Sequence, residues 1–81
     1  MPISNRMPFE DDTGTEYELV VWENEPNRIY HGDHWASFDS VQTSDVYGGN
    51  VRVSFRKGGD ITTQVTVAPY VARRLKVEGE Q

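Results

Sequence analysis

The chain has 81 residues, no cysteine and a formal net charge of −5 at pH 7. This length predicts one domain with a thin core, because so small a chain buries only roughly 60–65% of its unfolded surface. The lack of cysteine excludes disulfide bridges, thiolate zinc sites and thiol nucleophiles. Aromatic residues make up 11% of the chain, which excludes a wholly disordered acidic segment.

Charge is divided unevenly along the sequence. Residues 1–47 hold ten acidic and two basic side chains, a net of −8, whereas residues 48–81 hold six basic and three acidic ones, a net of +3. The negative excess disfavours non-specific binding to nucleic acid or anionic membranes. It favours a protein partner with a basic surface.

Two further patterns bear on location. No apolar run approaches the ~20 residues that span a bilayer, and the first nine residues lack the apolar core of a secretory signal. Together they predict a cytoplasmic protein without a membrane segment.

The first half of the chain predicts an irregular arm followed by a hairpin. Residues 1–14 contain two prolines, a glycine and an acidic run, which indicates irregular structure. Glu16–Glu23 alternates at period two and predicts a strand. The turn residues 24–27 lead into a short second strand at Arg28–His31.

The middle of the chain is less regular. His34–Phe38 fits either a helical turn or an extended segment, because Trp35 and Phe38 are three residues apart. Val41–Tyr47 predicts a weak third strand, since its centre is polar.

The clearest elements lie near the C-terminus. Val51–Arg56 and Ile61–Val67 alternate apolar and polar residues around a glycine turn, which predicts a hairpin. Pro69 then opens a helix of two to three turns with an apolar stripe, and Gly79 is expected just past its end. So short a helix needs to pack on the sheet.

These elements predict an α+β fold that is mainly β. Residues 15–78 form a single β-rich domain, an antiparallel meander of four to five strands with one short C-terminal helix that closes an open face. The alternative is a small closed β-barrel with the helix as a plug.

One short cluster has the residue types of a metal site. Imidazole and carboxylate groups at His31, Asp33 and His34 suit transition metals, but no fourth ligand is evident. We therefore predict no enzyme, no catalytic residue and no metal or other cofactor. A metal-dependent hydrolase centred on these three residues is kept as an alternative.

The preferred hypothesis is a non-enzymatic binding protein that docks on a basic protein surface. Acidic side chains spaced along a strand would project as a stripe of negative charge that steers association. The predicted partner-binding residues combine these acids with aromatic residues: Glu10, Asp11, Asp12, Glu16, Glu18, Trp22, Glu23, Glu25, Tyr30 and Trp35. By analogy, a small inhibitor or adaptor of the kind that phages and plasmids encode fits this charge and size, for example an anti-CRISPR protein that occupies a basic channel.

An alternative hypothesis uses the basic half of the chain. A small β domain could bind nucleic acid through Arg52, Arg56, Lys57 and Arg73. No aromatic residue is interleaved with them to stack on bases, which disfavours this hypothesis. Self-association is also compatible with so small a core.

Overall fold

A computed structural model describes residues 3–46 and 48–79, which form two antiparallel sheets and one helix. The strands and the helix follow one another in chain order: β1 (Ile3–Glu10), β2 (Glu16–Trp22), β3 (Asn27–His31), β4 (His34–Phe38), β5 (Ser40–Asp45), β6 (Val51–Lys57), β7 (Asp60–Val67) and α1 (Pro69–Gly79). The predicted class, α+β and mainly β with a C-terminal helix, is confirmed.

The first sheet has the strand order β1-β2-β3-β4. Because side chains alternate along a strand, the register places Met7, Leu19 and Ile29 side by side on the inner face, where they are buried. The residues between them face outward, so this sheet has one face toward the core and one toward solvent.

The second sheet has the order β5-β6-β7 and contains the predicted hairpin between β6 and β7. Val53, Phe55, Val65 and Val67 face inward and are buried. The register shifts by one residue after Phe55, so the polar end of β7 departs from strict alternation.

The chain passes from one sheet to the other through a single residue, Asp39. Its N–H donates to the Arg56 carbonyl (2.8 Å) and its carboxylate accepts from the Gly58 N–H (3.1 Å). This junction brings the rings of Phe38 and Phe55 to 4.8 Å between centroids, so the two sheets share one core.

The helix closes the side that the two sheets leave open, as its apolar stripe predicted. Val71, Ala72 and Leu75 are buried, and α1 contacts β5 and β6 of one sheet and β2 of the other. Near its C-terminal end, Lys76 donates from Nζ to the Val41 carbonyl at 2.6 Å. Gly79 is the last helical residue and not the first residue beyond the helix.

The irregular arm predicted for residues 1–14 is wrong for Ile3–Glu10, which forms β1. Proline at position 8 is tolerated because β1 is an edge strand. The N–H of Asp11 donates to the Thr15 carbonyl at 3.0 Å, which places the odd-numbered residues of β1 in hydrogen-bonded pairs with β2. Pro8 therefore turns its nitrogen toward the free edge, where no N–H is needed.

The number of strands also differs from the prediction. The described residues form seven strands in two sheets, where four to five were expected, and the alternative of a closed barrel is wrong for these residues. His34–Phe38 is extended. The third predicted strand is β5, which ends at Asp45. Tyr47, the predicted end of that strand, lies outside the described residues.

In the described part of the chain, no helix has the length and apolarity that crossing a bilayer requires.

Candidate partner-binding face

The outer face of the first sheet gathers four residues, Trp22, Arg28, Tyr30 and Trp35, which we call the aromatic face. The guanidinium carbon of Arg28 lies 5.3 Å from the ring centroid of Trp22 and 4.2 Å from that of Trp35. Its Nη1 also donates to the Tyr30 hydroxyl at 3.2 Å. Arg28 is thus held by three aromatic side chains from β2, β3 and β4.

A depression of about 500 Å³ adjoins the aromatic face and is lined in part by Ile3, Pro8, Val20, Trp22 and Tyr30. Val20 points to this outer side, yet it is only 2% exposed, because neighbouring side chains cover it. The indole Nε1 of Trp22 is buried without a hydrogen-bond partner in the described residues. A buried donor left unpaired carries a cost of about 1–3 kcal/mol.

Three predicted acids lie near this depression on the same face. Glu10 and Glu16 are directly opposite each other on β1 and β2. Glu18 accepts from Arg6 Nη2 at 2.8 Å, and this hydrogen bond and the charge of Glu18 raise the pKa of Arg6. The Arg6 side chain is 58% exposed, so the pair contributes little to stability. The acidic edge is therefore partly neutralised by an arginine of the same sheet.

The Asp11 side chain accepts hydrogen bonds within the turn between β1 and β2. Its Oδ1 accepts from the Thr13 N–H (2.9 Å), the Thr13 hydroxyl (2.7 Å) and the Thr15 N–H (2.9 Å). Partial burial raises the pKa of Asp11, but these hydrogen bonds and the nearby His31 outweigh it, so the pKa is lowered overall. Asp12 remains exposed at the same turn, with its N–H donating to the Thr66 carbonyl at 2.8 Å.

The remaining predicted acids lie at the opposite end of the sheet. Glu23 and Glu25 belong to the turn between β2 and β3, whereas Glu16 is the first residue of β2. The seven residue-to-residue steps from Glu16 to Glu23 correspond to roughly 23 Å along an extended strand. The acids thus form two groups at the two ends of the sheet, not the single stripe that the sequence suggested.

The basic residues of the alternative hypothesis are divided among three places. Arg52 and Arg56 lie on the outer face of the second sheet, where Arg56 donates to Gln42 (3.0 Å) and to the Gly59 carbonyl. Lys57 donates to the Ser37 hydroxyl at 2.9 Å. Arg73 belongs to α1, which covers the inner side of that sheet. The four cations therefore do not share one surface.

The histidine cluster lies at the hairpin that joins β3 and β4. His31 and His34 are opposite each other on β3 and β4, and the His31 ring lies 4.8 Å from that of Tyr17. Burial, followed by the charge of Asp11, raises the pKa of Tyr17. Over residues 3–46 and 48–79, no three histidine, aspartate or glutamate side chains come together as a metal site would require.

Sequence reasoning missed Arg28 and Val20 as parts of the site. Both occupy outward positions by the same alternation that marks Trp22 and Tyr30, so period two along β2 and β3 was the available signal. Comparisons of the chain with protein-family models, with curated proteins and with solved structures gave no match.

Proposed function

We propose that the chain is a non-enzymatic binding protein that docks on another protein through the outer face of its first sheet. The observation that carries the proposal is the stack of Arg28 between Trp22 and Trp35 on a solvent-facing surface. Tryptophan, tyrosine and arginine are the residues that most often dominate the binding energy of protein interfaces. Trp35 is 53% exposed, so a large apolar side chain is available to a partner.

The stack also prepares the surface for binding. Ordering a long side chain at an interface costs about 0.5–1.5 kcal/mol. Arg28 is already held by Trp22, Trp35 and the Tyr30 hydroxyl, so most of that cost is met before the partner arrives. The adjoining depression supplies a recess for a side chain of the partner.

The charge around the depression selects the kind of partner. Glu10 and Glu16 face each other across β1 and β2, and Asp12 is exposed at the turn that joins these strands. Their negative potential would attract a basic protein surface and speed association. We propose a cytoplasmic inhibitor or adaptor that covers such a surface, for example the basic nucleic-acid channel of an enzyme.

Affinity capture from a lysate of the organism that encodes the chain, or of its host, would test the proposal. Trp35→Ala removes the exposed ring, and Arg52→Ala serves as the control because it alters an exposed cation on the other sheet. We expect a protein that is captured by the wild type and by Arg52→Ala but lost with Trp35→Ala.

The role of the acids is tested by association kinetics with the captured protein. Glu10→Gln with Glu16→Gln should lower the association rate and weaken its dependence on salt. Asp45→Asn with Asp60→Asn is the matched control, because it removes the same charge from exposed positions on the second sheet. Equal rates for the two double variants, or a captured nucleic acid in place of a protein, would overturn the proposal.

A further inference from the structure

In the described part of the chain the two sheets have four edge strands, and contacts within the chain occupy or remove some of the outward backbone groups of β1, β4 and β7. On β1, the outward N–H of Arg6 donates to the Asn5 side chain at 2.9 Å, and Pro8 has no N–H. Both devices stop an edge from pairing with another strand.

The edges of β4 and β7 close on each other and on the β1–β2 turn. The Ser37 carbonyl of β4 accepts from the Thr62 hydroxyl at 3.1 Å. The Thr66 carbonyl of β7 accepts from the Asp12 N–H at 2.8 Å. These contacts occupy backbone groups that would otherwise face solvent.

The fourth edge strand, β5, presents its backbone outward. The Val46 N–H donates to the Asn50 carbonyl at 3.3 Å, so the even-numbered residues of this hairpin face β6. The backbone N–H and C=O groups of Thr43 and Asp45 therefore point away from β6. The Val41 carbonyl confirms this direction, because it accepts from Lys76 on α1.

A depression of about 450 Å³ runs beside this edge, between β5 and the helix. Its lining includes the apolar residues Val51, Ala72 and Val77 as well as Thr43 and Asp45 of β5. The charged residues of the lining are Asp45 on β5 and Arg73 and Lys76 on α1, so cations outnumber acids beside this edge, and Arg73 is exposed.

We propose that β5 is a docking edge for an extended peptide that adds as a fourth strand to the second sheet. The backbone of the peptide pairs with Thr43 and Asp45, as in other cases of strand addition to a sheet edge. One apolar side chain of the peptide fills the depression beside Ala72 and Val77. An acidic side chain two residues away projects to the same side and reaches Arg73. This site lies on the other sheet from the aromatic face and does not depend on the function proposed above.

A second copy of the chain fits this edge less well than a peptide does. Two β5 strands paired about a two-fold axis would place both α1 helices on the same side of the joined sheet. Each helix would bring its own Arg73 to the junction, and like charges there oppose association. Pairing centred on Thr43 would also require the Val41 carbonyl, which already accepts from Lys76.

Amide exchange measured by nuclear magnetic resonance tests the proposal on the full chain. The ligand used is a capped synthetic peptide, Thr-Val-Thr-Glu-Thr, at millimolar concentration, and the matched peptide carries lysine in place of glutamate. We expect the glutamate peptide to slow exchange of the Thr43 and Asp45 amides several-fold. Exchange of Gln42 and Ser44 should stay the same, because these amides already face β6.

Two variants sharpen the test. Thr43→Pro removes an outward N–H at an edge position where proline is tolerated, and it should abolish the slowing. Arg73→Glu alters an exposed helix residue. It should lower the affinity for the glutamate peptide and raise the affinity for the lysine peptide by about two- to fivefold each. If Thr43→Pro does not fold, the question is decided by whether Arg73→Glu changes which of the two peptides binds more tightly.

Three results would overturn the proposal. The first is unchanged exchange at Thr43 and Asp45 with the glutamate peptide. The second is equal binding of the two peptides to the wild type and to Arg73→Glu. The third is a slowing that depends on protein concentration without any peptide, which would assign the edge to a second copy.

Discussion

Arg28 and Trp35 are diagonal neighbours on β3 and β4, and the Arg28 guanidinium carbon lies 4.2 Å from the Trp35 ring centroid. The contact exists only when the two strands hold this register, and Trp22 on β2 encloses the guanidinium from the other side. The stack therefore links three strands of the first sheet on its solvent side as well as forming the proposed binding face.

Arg28→Ala should lower the free energy of unfolding by about 1 kcal/mol, because cation–π contacts at exposed sites contribute about 0.5–1 kcal/mol each. Urea unfolding followed by tryptophan fluorescence would measure the change. Arg52→Ala, an exposed residue of the other sheet, should change stability by less than about 0.5 kcal/mol. A loss in Arg28→Ala no larger than this control would show that the stack does not stabilise the sheet.

The end of the helix gives a second prediction. A Cβ at Gly79 would lie 2.6 Å from Cγ2 of Val41. The Gly79 carbonyl accepts from the side-chain amide of Asn27 at 3.1 Å. Val41 is buried and cannot move aside, so Gly79→Ala should cost about 1–3 kcal/mol or detach the last helical turn.

A double-mutant cycle separates this clash from a simple change in helix propensity. Val41→Ala removes the opposing methyl groups, so Gly79→Ala should cost less in the Val41→Ala background. The matched control is Val77→Ala, an exposed position two residues earlier, which should be nearly neutral. Thermal unfolding by circular dichroism measures all four variants. Additive costs of Gly79→Ala and Val41→Ala would contradict the predicted contact.

Regular alternation explains which parts of the fold the sequence predicted. The β6–β7 hairpin and α1 have clear periods of two and 3.6, and both were found where expected. β1 has the same alternation, with Met7 and Phe9 inside, but Pro8 and the acidic run after it indicated irregular structure. Proline is compatible with β1 because β1 is an edge strand, and the sequence alone does not show which strands lie at an edge.

The candidate site was predictable in its aromatic residues but not in its arrangement. Trp22, Tyr30 and Trp35 were chosen as aromatic residues on separate segments, and the register of three strands was needed to bring them onto one face. The acids were divided for the same reason, since the position of each turn at one end of the sheet or the other follows from strand pairing. A one-dimensional charge count contains no information about strand order.

The contact between the sheets gives a third prediction. Phe38 and Phe55 come from different sheets, are almost fully buried and have ring centroids 4.8 Å apart. Phe38→Ala should cost about 3–5 kcal/mol, a large part of the stability of so small a domain. Chemical unfolding would measure this, and near-ultraviolet circular dichroism should show loss of the fixed aromatic environment. Retention of most of the stability in Phe38→Ala would show that the sheets are held together elsewhere.

The Asp11 turn predicts how stability changes at acidic pH. Burial raises the pKa of this carboxyl, but the hydrogen bonds from Thr13 and Thr15 and the charge of His31 lower it overall, below the ordinary value of 3.8. Because the folded-state pKa lies below the unfolded one, the turn contributes its full stability above the unfolded pKa. That contribution is lost as the pH falls through the folded-state pKa.

Asp11→Asn removes this titration while keeping an oxygen that can accept the same hydrogen bonds. The stability difference between the wild type and Asp11→Asn should therefore shrink from about pH 5 to about pH 2 in urea unfolding. Carbon-13 resonance of the Asp11 carboxyl should give a pKa below 3.8, and Thr13→Val should raise it by removing the hydroxyl donor. A wild-type pKa at or above 3.8, or no change in Thr13→Val, would mean that these hydrogen bonds do not hold the carboxylate in its charged form.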